Sequence, residues 1–428
     1  MRHVGGVVVL GVFAWCVPVF AQRGDQPRDR HVRPGISVLL EERIGLVRGR
    51  RVGLITNQTG VDEHGRPDAE LLANDPRSRK ARVALVALFS PEHGPEGTED
   101  RENVASGMDA RTGLPVHSLY GKETIPPPDS LLRGVETLIV DLQDIGTRTW
   151  TYVGVMLYAM RAAARRHIPV LVLDRPNPIG GSHAEGPLLD SALANPNDPV
   201  PGVPGKAFAL YPAPLRHGMT MGELAQWFNA TLGIGADLTV VPMRGWKRSM
   251  WYDQTGLPWV RPSPNMPSVT SALLYPGLVA FEATNLSVGR GTREAFQRLG
   301  APWLKAHDVV ELLRDRMIPG VKFEEERFAP SAPTDGKYSG RTIPGVRITI
   351  ADRERVSAAR VGAALLWAIA KTSPDSLAIR ATGFDERFGA ARVREALLRG
   401  DDPDAVMDRE LPATVAFRDK VKPFLLYR

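Results

Sequence analysis

The chain of 428 residues is too long for one ordinary hydrophobic core and predicts two domains. Hydrophobic residues make up 43% and charged residues 24%, which excludes a disordered or fibrous chain. The net charge of +6 suits an anionic polymer or substrate, or simply a solvated surface.

The first residues, MRHVGGVVVLGVFAWCVPVFAQ, carry an early Arg2, an apolar run over 7–17, and Val19-Phe20-Ala21 ahead of Gln22. This predicts a secretory signal over 1–21, cleaved after Ala21. The apolar core is short for a membrane span, and bulky Trp15 argues against lipoprotein processing at Cys16. Cys16 is the single cysteine. Its removal with the signal would leave neither a disulfide nor thiolate chemistry. The expected product is exported, periplasmic or extracellular, with no membrane association after cleavage. Residues 22–36, QRGDQPRDRHVRPGI, are polar and proline-bearing and predict a linker.

Short apolar runs then alternate with amphipathic segments. RVGLITNQTG (51–60), ARVALVALFSPEHG (81–94), VETLIVDLQDIGTRTW (135–150), PVLVLDRPNPIGG (169–181) and DLTVVPM (237–243) read as strands with polar ends. Residues 152–167 repeat apolar positions at helical spacing and end in basic residues. TMGELAQWFN reads as a helix whose Thr220 and Glu223 form a capping box. Near-continuous Val/Ile/Leu strands separated by helices predict an α/β fold with a doubly wound parallel sheet over 37–262. The proline-rich PSPNMPS (262–268) marks the boundary to a smaller α+β domain over 263–428. There helices are expected at 306–316 and 357–371, one clear strand at 345–352, and a last helix in RFGAARVREALLRG.

Each of the first four strands ends in polar residues: Thr56, Asn57 and Gln58; Ser90, Glu92 and His93; Asp141, Gln143, Asp144 and Arg148; Asp174, Arg175 and Asn177. Ligands of open parallel sheets bind beyond the carboxyl ends of the strands, so these groups predict a site on one rim. No Gly-x-Gly-x-x-Gly follows the first strand, and no phosphate loop or Gly-x-Ser-x-Gly elbow occurs. No cofactor is expected, no nucleic-acid partner, and no metal, although Glu92, His93, Asp141 and His183 are the set from which a metal site would be built. Carboxylate chemistry remains. Partial burial at the strand end would keep Glu92 protonated as a general acid, with His93 beside it as a hydrogen-bonding partner or as a brace for the turn. Arg148 and Arg175 are candidates to grip an anionic group, or to pair internally with Asp141, Asp144 or Asp174. Asn265, Glu282, Asn285 and Arg290 lie in a Gly/Pro-framed segment that could face the cleft from its other side.

Six motifs stand in order: Asn57-Gln58-Thr59-Gly60, Ser90-Pro91-Glu92-His93-Gly94, the run from Asp141 through Asp144 to Arg148, Asp174-Arg175-Pro176-Asn177-Pro178, Pro262-Ser263-Pro264-Asn265-Met266-Pro267, and Glu282-x-x-Asn285 followed by Gly289-Arg290-Gly291-Thr292. With the closing FLLYR, they resemble the exo-β-N-acetylmuramidase (NamZ) family of glycoside hydrolases over roughly 37–428. The resemblance implies a Rossmann-like domain, a smaller C-terminal domain and an active site in the cleft between them. It also implies release of terminal N-acetylmuramic acid from peptidoglycan-derived muropeptides or disaccharides, with the catalytic glutamate at Glu92. The partner carboxylate could be Asp141, Asp144, Asp174 or Glu282, or the substrate's own acetamido group could serve. Two other classes compete. One is an exported sugar-binding protein with Trp150, Tyr152 or Trp246 as platforms. The other is a metal-dependent cell-wall amidase.

Overall fold

The apolar runs of the first half become strands whose side chains alternate between two separate cores. Strand β1 is Arg51–Thr56, β2 Ala84–Ser90, β3 Gly107–Met108, β4 Pro115–Ser118, β5 Thr137–Asp141, β6 Val170–Leu173, β7 Glu185–Leu188, β8 Pro214–Arg216 and β9 Leu238–Val241. The computed structural model describes Met1 and residues 31–99, 105–120, 129–195 and 208–428. A seven-stranded sheet runs in the order β3-β4-β2-β1-β5-β6-β9. Its pairings are parallel except at the antiparallel β3–β4 edge.

Val52 and Leu54 of β1, Leu88 of β2, Ile139 of β5 and Leu171 of β6 enter one apolar cluster. Their neighbours Ile55, Phe89, Val140 and Val172 enter the other. Successive side chains of a strand leave on opposite faces, so an unbroken Val/Ile/Leu run is what a sheet covered on both sides needs. Helices Gly35–Glu42 and Asp68–Asn74 cover the first face, and Thr151–Arg165 and Met221–Thr231 the second. This is the doubly wound, Rossmann-like arrangement. The order turns at β1, with β2 on one side of it and β5 on the other, so loops leaving these strands frame a crevice. The capping box forms as expected. Glu223 N–H donates to Thr220 Oγ1 at 3.3 Å, and Thr220 N–H to Glu223 Oε2 at 3.0 Å.

The second half holds a small antiparallel sheet, β10-β12-β11, from β10 Arg298–Gly300, β11 Val321–Phe328 and β12 Ile343–Ile350. Helix Ala358–Thr372 packs against Val269–Leu278, with two glycines at the crossing. A Cβ on Gly277 would lie 1.9 Å from the Ala358 carbonyl oxygen, and one on Gly362 2.2 Å from that of Gly277. No other residue fits.

Three expectations change. The RFGAARVREALLRG stretch is two helices, Ala381–Phe388 and Ala391–Leu398, because Gly389 takes φ +133° between them. Strand β11 and helix Pro403–Val421 were not expected. In β11 only Phe323 and Phe328 are buried among charged neighbours, and Pro412 inside the helix disguises it. The signal, its cleavage point and residues 22–30 of the expected linker lie outside the described residues. Residues 31–36 are not linker but part of the fold. Val32 N–H donates to Thr255 O at 2.8 Å and Gly35 N–H to Asp174 O at 2.9 Å, and Ile36 is fully buried.

Candidate active site

Glu92 and Glu282 line the same cavity of about 180 Å³. Glu92 comes from the loop after β2. Glu282 comes from the short helix Val279–Ala283 in the second half. Tyr120, Thr149, Trp150 and Thr151 close the wall from the parallel-sheet side. Ser263, Asn265, Met266, Tyr275, Arg290, Phe296 and Arg387 close it from the other, with Phe208 between.

The loop that carries Glu92 is held in an uncommon conformation. His93 is buried with φ +72°, a region that non-glycine residues rarely adopt. Its Nδ1 meets the Glu99 carbonyl at 2.6 Å, and Glu99 N–H returns to His93 O at 3.2 Å. Gly97, at φ +64°, packs so tightly on Gln58 that a Cβ there would fall 1.9 Å from Gln58 Nε2. Gln58 in turn donates to Arg261 O at 2.7 Å. The stiffness expected from the prolines thus comes as much from these hydrogen bonds and from one glycine contact. Glu92 itself is half-buried. Thr151, first residue of the Thr151–Arg165 helix, donates its hydroxyl to Glu92 Oε2 at 2.6 Å.

Opposite, Glu282 Oε1 accepts from Arg290 Nε at 2.7 Å and Nη2 at 2.5 Å. Arg387 Nε stands 3.7 Å from Glu282 Oε2, with its guanidinium 4.7 Å from the Phe208 ring centroid. Burial raises the pKa of the Tyr275 phenol between the two glutamates, and the charges of Glu282 and Glu92 add to the rise.

Of the residues expected at the site, Glu92, His93, Asn265, Glu282 and Arg290 line this cavity. The others hold the scaffold, which corrects the expectation that all rim groups converge on substrate. Arg175 is buried, bonded to Asp141 and 3.6 Å from Asp68. Burial works against its charge, but Asp141 and Asp68 outweigh it and push its pKa up. Asp144 Oδ2 accepts from Gly146 N–H at 2.7 Å and lies 3.3 Å from His217 Nε2. Gln143 donates to Asp144 O and Pro176 O, and Asn177 to Met219 O. Asp174 accepts from Thr220 Oγ1, Gly222 N–H and Tyr427 OH. Asn57 turns inward to Thr59 and borders, with Gln58, a second depression on the far side of the 91–97 loop. Asn285 braces residues 376–378. Tyr152 is fully buried and donates to Pro262 O at 2.5 Å.

Arg148 is the most informative of these. It is 1% exposed, and it donates to the carbonyls of Glu386 at 2.9 Å and Arg387 at 3.0 Å. Burial lowers its pKa to about 10. It holds the backbone of the residue that reaches the cavity, rather than the substrate. Of the possible platforms, Trp150 lines the cavity while Trp246 packs edge-on against Tyr427. The potential metal set is not brought together: Asp141 is in the core with Arg175, and His183 lines a different depression. Thr151, Phe208, Tyr275 and Arg387 were missed from sequence. No spacing rule marks them, because they meet the cavity only through tertiary packing.

An α/β fold whose parallel strands end beside a cavity lined by two carboxylates and two arginines has the groups that hydrolase chemistry needs. Residues 52–270 match the family model for the N-terminal part of exo-β-N-acetylmuramidase NamZ, and residues 273–427 that for its C-terminal part. The chain belongs to this family. It is 40% identical to the peptidoglycan β-N-acetylmuramidase NamZ of Bacillus subtilis (strain 168) over 398 residues, 92% of this chain and 91% of that one. Two crystal structures of DUF1343 family proteins from Bacteroides fragilis NCTC 9343 share the fold. One has TM-score 0.83 and 34% identity, covering 94% of this chain and all of that one; the other has TM-score 0.72 and 27% identity, covering 93% and 99%.

Proposed function

We propose that this protein is an exo-acting glycoside hydrolase that releases β-N-acetylmuramic acid from the non-reducing ends of peptidoglycan fragments. The observation that carries the reading is the pairing of Glu92 and Glu282 across one cavity in a chain of the NamZ family. Glu92 is the general acid. Its proton passes to the glycosidic oxygen, the bond from the anomeric carbon to that oxygen breaks, and the electron pair leaves with the aglycone. Glu282, ion-paired with Arg290, is the charged carboxylate that stabilises the positive charge developing at the anomeric carbon; water then bonds to that carbon and gives up a proton to the Glu92 carboxylate, which restores the acid. Of the four carboxylates considered as partner, Asp141, Asp144 and Asp174 are engaged inside the scaffold and Glu282 lines the cavity with Glu92; the substrate's own acetamido group is the alternative nucleophile.

Arg387 is the group for the lactyl carboxylate that distinguishes muramic acid from glucosamine. A guanidinium at a cavity wall, stacked on an aromatic ring, suits a planar carboxylate. The cationic excess of the chain and the apolar 7–17 segment ahead of Ala21 support an exported enzyme meeting cell-wall fragments in the periplasm or outside the cell. The division near residue 262 is taken as the domain boundary, with the cavity between the parts.

The experiment is hydrolysis of a chromogenic β-N-acetylmuramide beside the matching β-N-acetylglucosaminide, by the mature protein and by Glu92→Gln and Glu282→Gln. Release from the muramide alone, lost in both variants while their melting temperatures hold, is the expected result. Tight binding of muropeptides without release by the wild type would make the protein a binder.

A further inference from the structure

The Thr151–Arg165 helix begins without a side-chain cap. Its N-cap residue is Trp150, and its first turn holds no acidic residue. The carboxylate that comes to this end of the helix arrives from another part of the chain: Glu92 Oε2 accepts the Thr151 hydroxyl at 2.6 Å. Both side chains line the cavity. Glu92 Oε1 makes no hydrogen bond to the described residues.

We infer that Thr151 is a positioning residue for the acid step, fixing which oxygen of Glu92 carries the proton. The inference rests on the reading of Glu92 as the general acid. The carbonyl oxygen of a carboxylic acid is a better acceptor than its hydroxyl oxygen, so a hydroxyl that donates to Oε2 favours Oε2 as the carbonyl and the acid proton on Oε1. When that proton moves to the glycosidic oxygen, Glu92 becomes a carboxylate, and the Thr151 bond becomes a charge-assisted one, shorter and stronger. The interaction therefore grows along the reaction coordinate, which is the condition for raising turnover rather than only binding. The helix terminus adds to the effect, because its unpaired N–H groups favour negative charge nearby. The other charged or titratable groups around Glu92 are His93, Tyr120, Tyr152, Tyr275, Glu282, Arg290 and Arg387, and the hydroxyl on Oε2 is that of Thr151.

The test uses Thr151→Val, which keeps the shape and removes the donor, with Thr151→Ser as the conservative variant, both assayed on the chromogenic muramide beside wild type and Glu92→Gln. For Thr151→Val, kcat is expected to fall about 10- to 100-fold, the range for losing a hydrogen bond to a charged group, with KM nearly unchanged. Thr151→Ser should remain within about threefold of wild type. A Thr151→Val enzyme with wild-type kcat overturns the inference, as does one whose loss is in KM rather than kcat, or a Thr151→Ser enzyme as slow as Thr151→Val. If Thr151→Val does not fold, Thr151→Ala carries the same comparison. An inactive wild type sinks the hydrolase reading itself. An active wild type with an inactive Glu92→Gln and an unaffected Thr151→Val sinks only the role of Thr151.

Discussion

The Tyr427 hydroxyl donates to Asp174 Oδ2 at 2.6 Å and accepts from Met243 N–H at 2.9 Å. Asp174 follows the last residue of β6, so the FLLYR segment is stitched to the end of the parallel sheet. Burial lifts the Asp174 pKa to about 7 against its hydrogen-bond donors. An unfolded chain releases this proton near pH 4, while the folded one holds it until about pH 7. The contribution of Asp174 to stability is therefore full below pH 4 and is lost as pH rises through 7. Asp174→Asn does not titrate. Its melting temperature relative to wild type should rise between pH 5 and pH 8, and a constant difference would contradict the assignment. Tyr427→Phe should cost about 1–3 kcal/mol by leaving a buried acceptor without its donor.

Arg148 should matter to substrate affinity without touching substrate. Arg148→Met leaves two carbonyls at the end of the Arg387 helix without their donors. KM for the muramide should rise on the order of tenfold. Arg148→Lys should not restore it, because one ammonium does not reproduce a two-pronged fork. Steady-state kinetics on both variants decide this.

Gly97 sets the position of the acid loop. Gly97→Ala meets both a positive φ and the Gln58 side chain. Activity should drop at least tenfold by the cost of displacing a catalytic group, with little loss of melting temperature. The double variant Gly97→Ala, Gln58→Ala removes the clash but not the backbone strain, so it should recover activity only in part. Full recovery would mean that strain at Gly97 is irrelevant.

Gly362→Ala tests the helix crossing rather than the site. A methyl group 2.2 Å from the Gly277 carbonyl oxygen forces the helices apart. We expect about 2–3 kcal/mol of destabilisation, read as a lower urea midpoint. An unchanged midpoint would mean that the crossing yields at no cost.

The parallel sheet was legible because its strands alternate side chains into two cores, and a chain that does so cannot hide its apolar runs. The capping box at Thr220 and Glu223 was legible because both halves of it lie in one short stretch. Glu92 could be found because it follows a strand into a rigid turn. Asp141, Asp174 and Arg175 occupy equally suggestive positions, yet they face one another or the chain itself, and nothing in their spacing says which way a strand-end side chain turns. Arg148 and Arg387 show the complementary failure. The first is close in sequence to the site and serves only as a brace, and the second, far along the chain, reaches the cavity because the first holds its backbone.

Glu92 and Glu282 line one cavity in a chain of an exo-acting family. An enzyme built around it works by counting ends. Long and short glycans at equal molarity would lose terminal residues at the same rate, whatever their mass. The supply of fresh termini, made by whatever cuts inside the strands, would then govern how quickly wall material is dismantled.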